Sequence, residues 1–192
     1  IRHCIYGVDI NPMAVELCKV NLWLESLEPG KPLSFLDVHI QCGNSLVGVG
    51  PNMDLNKLEI PDEAFNPVTG DDEKVASSLK KVNREQPAHQ LDFRVVLIEN
   101  QTDLQKYLAS RTQEIDALPE NTVAEVQRKT EQYQQWLDSG GYQQRKLMAD
   151  LWATAFFWKI QATSNPLNTP VQGQLLKLQR QQSIPRELAE TV

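Results

Sequence analysis

Several familiar signals are missing from these 192 residues, and each absence removes a class of function. No apolar run approaches the roughly 18–20 residues that a membrane helix requires, so no membrane role is expected. No basic and apolar leader opens the sequence, so nothing points to secretion and a cytoplasmic location is expected. Cysteine is scarce. Cys4, Cys18 and Cys42 are odd in number and lack C-x-x-C spacing, which predicts reduced thiols packed in a core. The histidines His3, His39 and His89 are scattered, so no metal-ligand cluster is expected. Positive charge is also short: the net charge is -6, whereas a DNA groove needs clustered Lys and Arg to neutralise phosphates. The densest basic group, Lys80, Lys81 and Arg84, is expected to be a solvated helix face. An initiator methionine is absent too. The chain enters an apolar strand pattern directly from Ile1 and is expected to be a segment of a longer protein.

What is present begins, within residues 1–50, with a strand, a helix and a second strand. His3-Cys-Ile-Tyr-Gly-Val-Asp9 is a short apolar run stopped by a carboxylate, as suits a buried parallel strand. Asn11 follows as a helix cap, and Pro12 as a first-turn residue that needs no N–H partner. Apolar positions from Ala14 to Leu24 cover most of the circumference, which predicts a helix sandwiched between a sheet and other helices and running to about Leu27. Glu28 to Pro32 supplies turn chemistry, and Val38 to Cys42 predicts a second strand closed by Gly43-Asn44-Ser45-Leu46. A right-handed crossover makes the two strands parallel neighbours.

Residues 51–71, with their Gly, Pro, Asn and Asp, predict an irregular linker, and residues 72–192 a helical region. Helices are expected over 72–85, over roughly 100–117, from the capping-box pattern Thr122-Val-Ala-Glu125 to Gly140-Gly141, from Gln143 to about Ile160, and near 171–180 before a polar tail. Residues 91–98 leave strand and helix both open. Leu147 to Trp158 is the most apolar stretch and must be buried against something. Glutamine is abundant after Gln101, at Gln132, Gln134, Gln135, Gln143, Gln144, Gln179, Gln181 and Gln182, but helical periodicity persists through it, which argues against low-complexity disorder. The fold class read from these patterns is α/β and mostly helical.

The chemistry concentrates at the end of the first strand. A strand that ends in a carboxylate just before a helix is how nucleotide-binding α/β domains hold a ribose, because the carboxylate accepts hydrogen bonds from two vicinal hydroxyls. Asp9 has that position. Such pockets lie outside the carboxyl ends of parallel strands, so Asp9 and the Gly43-Asn44-Ser45 turn should share one rim. There Ile10 could pack on an adenine face and Asn44 could bond its edge. The same residues also fit plain helix capping, and from spacing alone both readings stand.

The wording of the motif adds to this. Ile5-Tyr-Gly-Val-Asp-Ile-Asn-Pro-Met-Ala-Val-Glu-Leu-Cys-Lys-Val-Asn-Leu-Trp-Leu-Glu25 resembles the second motif of gamma-class DNA adenine methyltransferases. Pro32-Leu-Ser-Phe-Leu-Asp-Val-His-Ile-Gln-Cys-Gly-Asn-Ser-Leu-Val-Gly48 resembles the third motif of the large restriction-modification methylases, including fused nuclease-methylase enzymes. Asp62-Glu-Ala-Phe65 and Lys146 to Trp158 resemble that family's helical insertion between the third and fourth motifs. The resemblance implies a partial Rossmann-like β-α-β unit followed by an insertion, with S-adenosylmethionine as donor. Its ribose would meet Asp9, with Ile10 beside the adenine and Asn44 near its amino edge. Many methyltransferases carry Asp where this chain has Asn44, and the amide removes a charge. The acceptor implied is the amino group of adenine in double-stranded DNA, bound by the full-length enzyme. The family's Gly-rich first motif would lie before Ile1, and its Asn-Pro-Pro-aromatic fourth motif after Val192. Asn11-Pro12, Asn66-Pro67 and Asn165-Pro166 lack the second proline and the aromatic, and are expected as caps and turns. No catalytic residue is therefore expected here, and little activity or DNA binding from this segment alone.

Three rivals predict different surroundings. A nicotinamide-dependent oxidoreductase would use Asp9 on the same kind of ribose, but needs G-x-G-x-x-G about twenty residues earlier. A methyltransferase acting on protein, RNA or small molecules would lack Asn-Pro-Pro-aromatic. A helical scaffold module would present Leu147 to Trp158 to a partner, although a core helix is the commoner meaning of such a stripe.

Overall fold

The computed structural model describes residues 4–27, 29–50, 53–85 and 110–192. His3, His89, residues 91–98 and most of the helix expected over 100–117 lie outside them. The chain divides into two compact units, Ile1–Val47 with Asn100–Tyr142, and Gly48–Glu99 with Gln143–Val192.

In the first unit, β1 (Gly7–Asp9), α1 (Pro12–Glu25) and β2 (Ile40–Cys42) form a β-α-β element. The strands are parallel, with Gly7 opposite Ile40, Val8 opposite Gln41 and Asp9 opposite Cys42. Asn11 caps α1 by accepting from the Met13 N–H at 3.0 Å, and Pro12 occupies the first turn where no donor is needed. Ser26 closes the helix by donating from both its amide and its hydroxyl to the Leu22 and Trp23 carbonyls. Val15 packs with Leu36 and Ile40, but Met13, Leu17, Val20 and Leu24 are exposed. The expected sandwiching of α1 is thus met on one face only, because two strands are too narrow to cover a helix. The thiols also depart from expectation. Cys4, Cys18 and Cys42 are all exposed, since the same thin sheet gives them no core to enter.

Residues 110–116 form α3 and Val123–Leu137 form α4. The capping box is present: the Thr122 hydroxyl accepts from the Glu125 N–H at 3.2 Å, and the Glu125 carboxylate accepts from the Thr122 N–H at 3.1 Å. Gly140-Gly141 does not end α4. Asp138 caps it, and Gly140 opens α5 (Gly140–Ala155), with the Ser139 hydroxyl accepting from the Tyr142 N–H. Phe35, Ile115 and Tyr133 form a core joining the crossover to these helices.

A buried polar network pins that crossover. Lys129 of α4 is 0% exposed and donates to the Glu120 carboxylate and, at 2.7 Å, to the Asp116 carbonyl. Glu120 also accepts from the Phe35 N–H at 3.2 Å, and Asp116 is 3.0 Å from Nε2 of buried His39. Lys129, Glu120 and His39 have lost water, the Asp116 side chain keeps part of its exposure, and each is compensated by another, as buried charge requires.

The second unit contains two 3-10 turns (Leu55–Lys57 and Asp62–Phe65), α2 (Glu73–Glu85), most of α5, α6 (Gln172–Gln179) and α7 (Arg186–Thr191). The irregular stretch contributes Leu58, Ile60 and Phe65 to a core with Leu79, Met148, Leu151 and Leu175. Within it Asn83 donates to the Ile60 carbonyl at 2.9 Å and accepts from the Gln172 N–H at 2.8 Å, while Gln172 accepts from the Ile60 N–H at 2.7 Å. The apolar stretch of α5 buries Met148, Leu151 and Ala155, but α5 stops there, and Phe157 beyond it is exposed. The expected polar tail folds as α7 because Leu188 anchors it in the core. Lys80 and Arg84 lie on the solvated face of α2, bound to Asn66 and Asp62. The Arg84 guanidinium holds the Asp62 carboxyl below its ordinary range. Among the described residues no helix is long and apolar enough to cross a membrane.

Replacing Lys129 by Met should lower the stability of the first unit by about 3–5 kcal/mol, because Glu120 is left buried without its cation. Amide hydrogen exchange across α4 measures this, and combining Lys129→Met with Glu120→Gln should recover part of the loss.

Candidate functional site

The carboxyl ends of β1 and β2 lie side by side because the register pairs Asp9 with Cys42, and the Gly43 N–H extends the ladder by donating to the Asp9 carbonyl at 2.9 Å. This brings Asp9, Ile10 and Asn44 to one end of the sheet. The Asp9 carboxylate is exposed and accepts from the Asn11 N–H at 2.7 Å through one oxygen. Ile10 is 73% exposed, and the Cys42 thiol sits 3.6 Å from its carbonyl. The Asn44 side-chain oxygen accepts from the Leu46 N–H at 2.9 Å, which folds the turn back on itself. Each polar side chain is therefore half committed to local structure. Among the described residues the second Asp9 oxygen remains as an acceptor and the Asn44 NH2 as a donor. Capping and ligand contact are compatible at these positions.

Beside this rim a groove of about 400 Å³ runs between α1, β2 and α4. Pro12, Val15, Phe35, Cys42, Tyr133 and Tyr142 are among its walls, whereas Asp9, Ile10 and Asn44 are not. Sequence reasoning did not single out this groove; the available signal was Tyr133 on the same α4 face as Val126 and Leu137. The Tyr133 hydroxyl donates to the Asp37 carbonyl at 3.3 Å and accepts from the Gln41 side-chain amide at 3.0 Å. Burial pushes its pKa up to about 12, and Tyr142 and Asp37 add to the effect. On the opposite wall, burial works against the Lys19 ammonium, but Asp37 at 2.6 Å and Glu16 at 2.8 Å outweigh it and hold it above its ordinary value. Among the described residues no group of three or more His, Cys, Asp or Glu could hold a metal ion.

A family model described as Eco57I restriction-modification methylase matches residues 3–162. The chain belongs to the Eco57I restriction-modification methylase family. The resemblance read from the two motifs is borne out at that level. Over 57 residues the chain is 43% identical to a protein of Methanocaldococcus jannaschii named for a proposed type II restriction enzyme and methyltransferase activity. The match covers 25% of this chain and 5% of that protein's length. No solved structure matches the chain. The matched region of the methylase family takes in the rim, the Lys129 network and α5.

Tyr133 ties the stability of the first unit to alkaline pH. Its folded-state pKa is raised, so its contribution is fully present below pH 10 and is lost as pH rises toward about 12. Unfolding measured across pH 9 to 12 should show a steep loss that becomes shallower in Tyr133→Phe.

Proposed function

We propose that this chain supplies the adenosine-binding rim of an S-adenosylmethionine-dependent methyltransferase that modifies the amino group of adenine in double-stranded DNA. The observation that carries the reading is the parallel register, which sets the Asp9 carboxylate and the Asn44 turn side by side at the carboxyl end of a β-α-β element. Family membership supports the methylase class. In this reading β1-α1-β2 is part of a Rossmann-like sheet. Residues 1–50 carry the donor-binding strands and residues 72–192 the insertion, of which α3 and α4 pack onto the crossover between those strands.

The groups present fit the adenosine half of the donor. The uncommitted Asp9 oxygen can accept from the ribose hydroxyls, while the Asn11 N–H holds the carboxylate in place. The Ile10 side chain offers an apolar face for the adenine ring. The Asn44 oxygen is engaged by the Leu46 N–H, so the amide meets adenine through its NH2 group, which suits a ring nitrogen better than the amino group. When bound, the donor supplies the methyl group. The chain contains no Asn-Pro-Pro-aromatic sequence, so no residue here is assigned to the target adenine, and the net charge of -6 leaves DNA contact to the rest of the full-length enzyme.

In the full-length enzyme Asp9→Ala should weaken donor binding by about 1–3 kcal/mol, roughly 5- to 150-fold, through the lost ribose contacts. A calorimetric titration with unchanged affinity would show that Asp9 only caps the turn. The isolated chain should transfer no methyl groups to DNA. Robust transfer by it alone contradicts the assignment of catalysis to other parts of the enzyme.

A further inference from the structure

The outer edge of β2 runs along the groove of the first unit. In a parallel ladder alternate residues of a strand face its neighbour. The Gly7 N–H bonds the His39 carbonyl and the Gly43 N–H bonds the Asp9 carbonyl, so His39, Gln41 and Gly43 turn to β1 while Ile40 and Cys42 turn away from it. The Ile40 N–H is taken by the Leu36 carbonyl at 2.8 Å. Among the described residues nothing bonds the Ile40 carbonyl or the backbone N–H and carbonyl of Cys42. These groups border the groove of about 400 Å³, whose floor includes Ile40, Gln41 and Cys42.

A helix covers each face of this edge. Ile40 packs on Val15 of α1, whereas the Gln41 amide donates to the Tyr133 hydroxyl of α4 at 3.0 Å. A slot between two helices with a bare strand along its floor has the shape of an added strand, which needs only about 4.8 Å beside its neighbour. A helix is roughly 10–12 Å wide and has already bonded its own amides, so it cannot answer these groups. An extended backbone can: one of its residues exchanges two hydrogen bonds with Cys42, and another donates to the Ile40 carbonyl. The strand itself offers no defence. Ile40-Gln41-Cys42 has no proline, no charge and an unbroken register, and so lacks the devices that usually guard an edge. The walls select among side chains. Phe35, Tyr133, Leu137 and Tyr142 make the wall opposite α1 apolar and aromatic. The charged groups of the groove are Glu16, Lys19 and Asp37, and because Lys19 binds both carboxylates, one negative charge is left in excess.

We propose that the outer edge of β2 is a docking site for an extended peptide segment of a partner protein, apolar where it meets Tyr133 and Tyr142 and carrying a basic residue beside Asp37 and Glu16. The probe is a capped, fluorescein-labelled seven-residue peptide of alternating valine and threonine with one lysine, titrated into this chain by anisotropy. Two relatives of the probe serve as comparisons, one with every internal backbone nitrogen methylated and one with its lysine replaced by glutamate. The methylated peptide should bind at least tenfold more weakly, because it keeps the side chains and loses the ladder donors, and the glutamate peptide should bind more weakly than the lysine one at low salt. Amide exchange at Cys42, followed by NMR, should slow when the unmodified peptide binds. Cys42→Pro removes an N–H that β1 does not use and is tolerated at an edge; it should cost at least tenfold in binding while the Gly7 and Gly43 amides stay protected. Equal binding of the methylated peptide, or full binding by Cys42→Pro, overturns the proposal. A Cys42 amide that is protected without peptide also overturns it: in a dimer of this chain the slot belongs to a second copy, and in the full-length enzyme to another of its own segments.

Discussion

The geometry of the rim depends on a lysine that no water reaches. Lys129 places its ammonium between Glu120 and the Asp116 carbonyl, Glu120 takes the Phe35 N–H, and Asp116 takes His39. Phe35 and His39 bracket the last turn of the crossover before β2, and the His39 carbonyl accepts the Gly7 N–H of β1 at 2.9 Å. One network therefore connects α3 and α4 to the start of β2 and, through it, to the register of the two strands. Buried ion pairs are a costly way to gain stability, but they penalise any arrangement that leaves one partner alone. Here the arrangement they select is the one that sets Cys42 opposite Asp9 and brings the Asn44 turn to the rim.

Around this network the first unit has an uneven surface. One face of α1 packs on Leu36 and Ile40, while Met13, Leu17, Val20 and Leu24 recur at spacings of four, three and four residues and stay exposed. Ile10, Tyr6 and Leu46 are exposed apolar residues as well. A contiguous apolar stripe of this kind is uncommon on a finished surface and marks a place of contact. The second unit differs: its core draws on a 3-10 turn and four helices, and within it the Asn83 amide and the Gln172 side-chain oxygen are paired with backbone.

Much of the local structure was legible because it depends on residues close in sequence. Asn11-Pro12 and Thr122 to Glu125 carry their capping chemistry within four residues, and both helices start where those signals stand. The parallel pairing of β1 and β2 followed from the length of the crossover. Features that depend on distant partners were not legible. Gly140-Gly141 reads as a helix end, yet it opens α5 because the Ser139 hydroxyl caps it. The polar sequence after Arg180 gives no sign that Leu188 reaches a core built from α2, α5 and α6. The three cysteines look like core thiols until the narrow sheet leaves them exposed. At the site, Asp9, Ile10 and Asn44 were readable from a strand end and a turn. Lys129, Glu120 and Tyr133 were not, since nothing in the sequence of α4 or of the segment before it shows which polar residues will lose water.

The central claim is that the exposed groups at the ends of β1 and β2 hold the adenosine of the methyl donor. Photolabelling the full-length enzyme with a donor analogue bearing an azide on the adenine ring, followed by peptide mapping, tests it most directly. The account requires adducts on the peptides containing Ile10 and Asn44, suppressed by excess unmodified donor. Competable adducts confined to other peptides would contradict it.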